Sequence, residues 1–313
     1  MWAAQPICKG CGQPIVGNYL NALGATWHPE HFVCAACGRP IGEASFQQHQ
    51  DLPYHTACYI QRFAPRCAYC GKSLMVSQGN QLVVECRVDH WGTRYCKEHQ
   101  DEYPACAYCG RLVPPQQQEP GLKSGEIVRC PVCRGSAIED ISEAKPLYTQ
   151  VKQWVGRQGL TYNNQPLSLH LYDRARLAAL FPERNHTDAL GATTYLKNGQ
   201  GAGSEVRGVA VRQGLPAILF QGVTVHEFGH VWLIVHSIQL PTWAEEGFCE
   251  LLSYRFYTEL NTPESTFHAT GIERNTDPVY GEGFRRLRAI ADAVGFSRLL
   301  EIMRTTKQLP VYY

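Results

Sequence analysis

Apolar residues recur at helical intervals from Pro146 to Val155, with Leu147, Val151, Trp154 and Val155 on one face. They alternate with polar residues through Leu167 to Tyr172, the period of a half-buried strand. A second strand is predicted within 207–212, around Gly-Val-Ala-Val, before Gly214 and Pro216 break it. From about Ala217 a helix is predicted, and its apolar positions become nearly continuous: Val223, Val225, Phe228, Val231, Trp232, Leu233, Ile234 and Val235. Such a helix is buried on most sides. The 261–277 segment is polar and turn-rich. These longer periodic segments begin only at Ile138, and they predict one buried core, in the C-terminal half.

Ahead of that point the repeating unit is a pair of metal-type residues separated by two others. The pairs are Cys8/Cys11, His28/His31, Cys34/Cys37, His55/Cys58, Cys67/Cys70, Cys96/His99, Cys106/Cys109 and Cys130/Cys133. Such a pair sits on one tight knuckle, and two knuckles close the tetrahedron zinc prefers. Taken in order, they predict four closed structural sites. Burial as small hydrophobes suits a single cysteine but not eight paired knuckles, so only the unpaired Cys86 and Cys249 read as packing residues. Too few apolar residues flank each pair for folding by burial alone, so zinc supplies the stability. Pro114 to Gly121 reads as a loop within the last of these modules.

The first four pairs, with the flanking Trp27-His28-Pro29-Glu30 and Pro53-Tyr54-His55-Thr56-Ala57-Cys58-Tyr59, resemble a LIM domain. His31 stands where most LIM domains carry Cys, which makes a neutral Cys2His2 site. The next four pairs are LIM-like. Twenty-five residues separate Cys70 from Cys96, and the gap contains Cys86 and His90 as rival ligands. Cys96 and His99 are favoured because they keep the knuckle spacing. The domain reading is 1–62 LIM, 63–137 LIM-like and 138–313 a separate C-terminal domain, with the boundary near Gly135 to Pro146.

Composition adds limits. The chain has 313 residues, 44% hydrophobic and 18% charged, and a formal net charge of +1, which gives no basic footprint for nucleic acid. Charging the thiolates and adding zinc leaves it near neutral. No run of apolar residues approaches the roughly 20 of a membrane span, and the first ten residues lack the layout of a signal peptide. Fourteen cysteines arranged for metal need a reducing compartment, so a soluble, cytoplasmic protein is expected.

The predicted helix contains His226-Glu227-Phe228-Gly229-His230. Residues four apart on a helix point the same way, so both histidines can hold one metal, with Glu227 beside them as general base for a water. Two candidates exist for a third ligand. His236 matches the last histidine of the metzincin pattern, but Leu233 stands where that pattern turns on a glycine. If the helix continues, His236 lies about 240° around from His230. Glu246, in Pro241-Thr-Trp-Ala-Glu-Glu-Gly-Phe-Cys-Glu250, resembles the glutamate that gluzincin peptidases deliver from a second helix, and it is preferred. Glu250, one turn later, is placed to orient a ligating histidine, and Glu245 is read as solvated. Tyr280 is the candidate for stabilising an oxyanion, the alternative being a core or loop tyrosine. The 207–212 strand is expected to be the edge that binds substrate backbone.

LIM knuckles, the His-Glu-x-x-His helix, Glu-Glu-Gly and Pro278-Val-Tyr-Gly-Glu-Gly-Phe-Arg285 together resemble the LIM-containing zinc peptidases known from plants as ubiquitin-activated regulators of organ size. The resemblance implies an α+β chain with N-terminal LIM and LIM-like zinc modules followed by a gluzincin-type zincin domain. It also implies one catalytic and four structural Zn2+, and a cytosolic endopeptidase making limited cuts in protein substrates. The LIM region would then serve protein recognition, with ubiquitin or a ubiquitin-like modifier among the expected partners. No nucleic-acid or membrane partner is expected. Two features depart from the plant pattern: Cys8 leaves no room for preceding ubiquitin-interacting motifs, and Phe228-Gly229 replaces methionines. The competing reading is a catalytically silent LIM adaptor.

Overall fold

The computed structural model describes residues 5–42, 45–79, 81–122, 126–163, 165, 167–181, 188–197 and 204–310. The chain divides into two compact units, Met1–Pro104 and Ala105–Tyr313.

The N-terminal unit is built from short antiparallel hairpins that support the knuckles. Leu20–Ala22 pairs with Ala25–Trp27, Phe46–His49 with Leu52–His55, and Met75–Gln78 with Gln81–Val84. One apolar cluster in it comprises buried Phe32, Cys34, Ile41 and Tyr54, backed by residues such as Trp27, Phe46 and Phe63, and Ile15, Leu74 and Tyr95 are buried as well.

The division falls between Pro104 and Ala105, so the fourth knuckle set packs with the C-terminal half. Buried Tyr108, between Cys106 and Cys109, accepts a 2.9 Å hydrogen bond from Arg212 Nη2. Arg129 Nη1 reaches the Gly214 carbonyl at 3.2 Å and Glu139 at 2.9 Å.

In the C-terminal unit, helix α1 (Ile141–Arg157) starts at Asp140, whose carboxylate accepts from the backbone N–H groups of Ser142 and Glu143. This cap sets the start, and Pro146 is carried inside the helix. A three-stranded sheet follows: β1 (Ser168–Tyr172), β2 (Gly191–Lys197) and β3 (Ser204–Arg212), in the order β1-β3-β2. β3 is parallel to β1 and antiparallel to β2. The strand expected at the edge, 207–212, therefore lies in the middle, and the edges are β1 and β2, of which β2 borders the cavity described below. Val209 and Val211 are fully buried, which a central strand requires.

Helix α2 (Ala217–Val235) begins where the apolar run predicts, with Pro216 at its N-cap. Its 19 residues are apolar enough to cross a membrane by length and composition. Here Phe220, Val225, Phe228 and Val231 are fully buried, and the helix packs on β2, β3, α1 and α3 (Thr242–Leu260), as a core helix does. The polar segment after Leu260 forms α4 (Pro263–Arg274), because Thr262 and Ser265 cap one another reciprocally. This box uses serine rather than Glu or Gln at its third position, which hides it from sequence patterns. Helices α5 (Tyr280–Val294) and α6 (Phe296–Thr306) complete the unit.

Glycines explain how α3 and α5 approach. A Cβ on Gly247 would stand 2.5 Å from the Gly283 carbonyl oxygen and 2.9 Å from its Cα. Glycine at both positions lets the two backbones touch beside Glu246.

Candidate metal centre and its cavity

Four Cys/His groups gather in the order of the knuckles: Cys8, Cys11, His28, His31; Cys34, Cys37, His55, Cys58; Cys67, Cys70, Cys96, His99; and Cys106, Cys109, Cys130, Cys133. Cys86 and His90 lie outside them. The separations fit the edges of a zinc tetrahedron, roughly 3.3–3.8 Å for bonds of 2.0–2.3 Å: Cys11 Sγ to His28 Nδ1 is 3.5 Å, Cys37 Sγ to His55 Nδ1 is 3.4 Å, Cys70 Sγ to Cys96 Sγ is 3.7 Å and Cys109 Sγ to Cys130 Sγ is 3.5 Å. His99 gives its Nδ1 to Glu102 at 2.8 Å and leaves a buried Nε2 with no protein partner, as a ligand nitrogen would be. Burial alone would raise the Cys8 thiol, but N–H bonds from His28 and Cys11 bring it down to about 5, which favours the thiolate.

The second centre is built by α2 and α3. One turn of helix puts His226 and His230 side by side, with ring centroids 5.1 Å apart. Nε2 of His226 is 3.2 Å from Glu246 Oε2, and Nε2 of His230 is 3.6 Å from the same oxygen. The opposite ring nitrogens are also held: His226 Nδ1 is 3.4 Å from Glu250 Oε1, and His230 Nδ1 is 2.9 Å from Glu245 Oε1. Carboxylates at Nδ1 fix the tautomer that leaves both Nε2 lone pairs free, so the two rings and Glu246 present three donors to one point. The residues fit a zinc ion. Burial would raise Glu246, but the paired imidazoles hold its carboxyl well below the usual carboxylate range. Burial opposes protonation of both imidazoles, yet Glu246 and Glu250 raise His226, and Cys249 with Glu245 and Glu246 raises His230, well above the ordinary imidazole value. Three carboxylates, of Glu245, Glu246 and Glu250, thus surround the two imidazoles, a donor set suited to a cation.

Glu245 was expected in solvent; its side chain is 40% exposed, yet it contacts His230. Adjacent acids in a first helical turn carry no signal separating the two roles. Cys249, read as packing, is fully buried, and its sulfur lies within 4.8 Å of both histidine ligand atoms. It packs against Gly229, where a Cβ would stand 2.7 Å from the sulfur. His236 is not at the centre: it follows α2 and lies 3.0 Å from the Thr161 carbonyl.

Glu227, 6% exposed, stands beside the histidines on the wall of a cavity of about 1030 Å³. Tyr280, at the first turn of α5, lines the same cavity, as do Gly191 to Thr193 and Tyr195 of the edge strand.

The LIM domain family matches residues 8–63, and the family described as Protein DA1 matches residues 192–266. The chain combines a LIM domain with a DA1-like domain. Protein DA1 of Arabidopsis thaliana is 29% identical, over 97% of this chain and 68% of its own length. The LIM domain-containing protein HDR3 of rice (Oryza sativa subsp. japonica) is 27% identical, over 97% of this chain and 74% of its own. Protein DA1-related 2 of Arabidopsis thaliana is 26% identical, over 98% and 70%. The DA1-like match contains His226, Glu227, His230, Glu246 and Glu250 together with most of the edge strand, and Tyr280 lies beyond it.

Proposed function

We propose that the C-terminal unit is a gluzincin-type zincin and that the protein is a zinc-dependent endopeptidase making limited cuts in protein substrates. One observation carries this reading: both histidine Nε2 atoms meet one Glu246 oxygen while their Nδ1 atoms are held by separate carboxylates. That arrangement resembles a three-ligand catalytic zinc site with its supporting shell, and the wide cavity leaves room for a substrate at a further position.

A bound zinc ion would polarise a carbonyl and acidify water. Glu227 takes a proton from the attacking water and returns it to the departing amine. Tyr280 donates its phenol proton toward the carbonyl oxygen as charge develops there. Edge strand β2 receives the substrate backbone by strand addition, in place of the central strand. The LIM modules recruit or regulate, in a reducing, cytoplasmic setting that keeps the thiolates available. The decisive experiment is cleavage of unfolded casein by zinc-loaded protein and by Glu227→Gln. Turnover in the parent and none in the variant, at equal zinc content, supports the reading; cleavage that persists in Glu227→Gln contradicts it.

A further inference from the structure

Edge strand β2 does more than border the cavity, because it bonds one Glu227 carboxylate oxygen and passes close to the other. Thr193 Oγ1 lies 2.8 Å from Glu227 Oε2 and 3.1 Å from the Glu227 backbone carbonyl. The hydroxyl has one proton to give, and a carboxylate is the stronger acceptor. Two residues earlier, on the same face of the strand, Gly191 faces the other oxygen: a Cβ there would stand 2.6 Å from Glu227 Oε1 and 2.7 Å from Val223 Cγ1. β2 is itself fixed. Gly191 and Thr193 pair with Val211 and Val209, both fully buried, and Thr194 bonds the Gly208 carbonyl at 3.1 Å. Immediately after Thr194 the register shifts, which re-aims the following side chains.

We propose that Thr193 is a positioning residue for hydrolysis, its hydroxyl holding the Glu227 carboxylate toward the water while the bare backbone at Gly191 leaves that carboxylate its space. One strand thereby couples two tasks, docking the substrate backbone along its open edge and aiming the base with an inward side chain. A substrate strand that binds β2 in register is delivered to a carboxylate already oriented by the same strand. The inference rests on Glu227 being the general base.

The test compares Thr193→Val, which keeps the shape and loses the hydroxyl, with Thr193→Ser, which keeps the hydroxyl. An internally quenched peptide, taken from a site cut in casein, serves as substrate. We expect Thr193→Val to lower kcat by roughly 10- to 100-fold, the scale of a misaimed catalytic group. KM should stay within about twofold, zinc content should be unchanged, and Thr193→Ser should recover most of the loss. Unchanged kcat in Thr193→Val overturns the proposal, as does an equal loss in Thr193→Ser, which would make the role one of packing. Cleavage surviving in Glu227→Gln instead removes the base assignment, a separate failure. Independently of turnover, a crystal structure of the zinc-loaded parent must keep Thr193 Oγ1 bonded to Glu227; a separation beyond about 3.5 Å refutes it.

Discussion

Two glycines inside helices give opposite predictions for the same substitution. At Gly247 an added Cβ meets backbone of α5, 2.5 Å from the Gly283 carbonyl oxygen, whereas ordinary contact begins at 3.4 Å. Neither helix backbone can rotate away, so α3 and α5 must part by about 1 Å, an overpacking cost of about 3 kcal/mol. Alanine returns about 1 kcal/mol of helix propensity, leaving a net loss of about 2 kcal/mol. For a unit of this size that lowers Tm by about 4–8 °C. Gly271, in α4, is the control, since a Cβ there meets nothing within 4 Å. Gly271→Ala should therefore gain about 1 kcal/mol, raising Tm by about 2–4 °C. The assay is thermal unfolding of both variants and the parent in zinc-containing buffer. Because Glu246 adjoins Gly247, zinc at the second centre should also weaken in Gly247→Ala alone. A Gly247→Ala protein as stable as the parent would refute the close helix crossing on which the placement of Glu246 depends.

Three further substitutions separate the groups around the histidines. Removing the carboxylate that holds His230 Nδ1, in Glu245→Ala, should weaken zinc at the second centre by roughly 10- to 100-fold, read by competition with a chelator; unchanged affinity would return Glu245 to the solvent role. Glu246→Ala should abolish zinc at that centre while Cys249→Ala retains it, measured as zinc per chain. The reverse result would make the buried thiol the third ligand.

Much of the site was legible because its signals are local. Knuckle spacing fixes which Cys and His residues gather, and a four-residue step on a helix aligns His226 with His230 regardless of the surrounding fold. The start of α2 at Ala217 follows from the apolar run after Pro216. The errors lie where long-range pairing decides. β2 has no run of apolar residues to announce it, so sequence points to the strand next to α2 as the edge, although β3 is flanked on both sides. Gly229 reads as a cost in helix propensity, and only the approach of Cys249 from α3 shows why a side chain is excluded there. The contact of Glu245 with His230 and the part played by Thr193 are hidden in sequence because their partners lie 15 and 34 residues away. The fourth knuckle set looks like its predecessors in sequence, yet the bond between Tyr108 and Arg212 ties it to the C-terminal unit.

The most direct test of the central claim is zinc per chain by elemental analysis, on the purified protein and on His226→Ala. Four Cys/His groups and one His/Glu centre predict about five zinc ions in the parent and about four in the variant. About four in both would mean that the second centre holds no zinc, and the hydrolytic reading would fall.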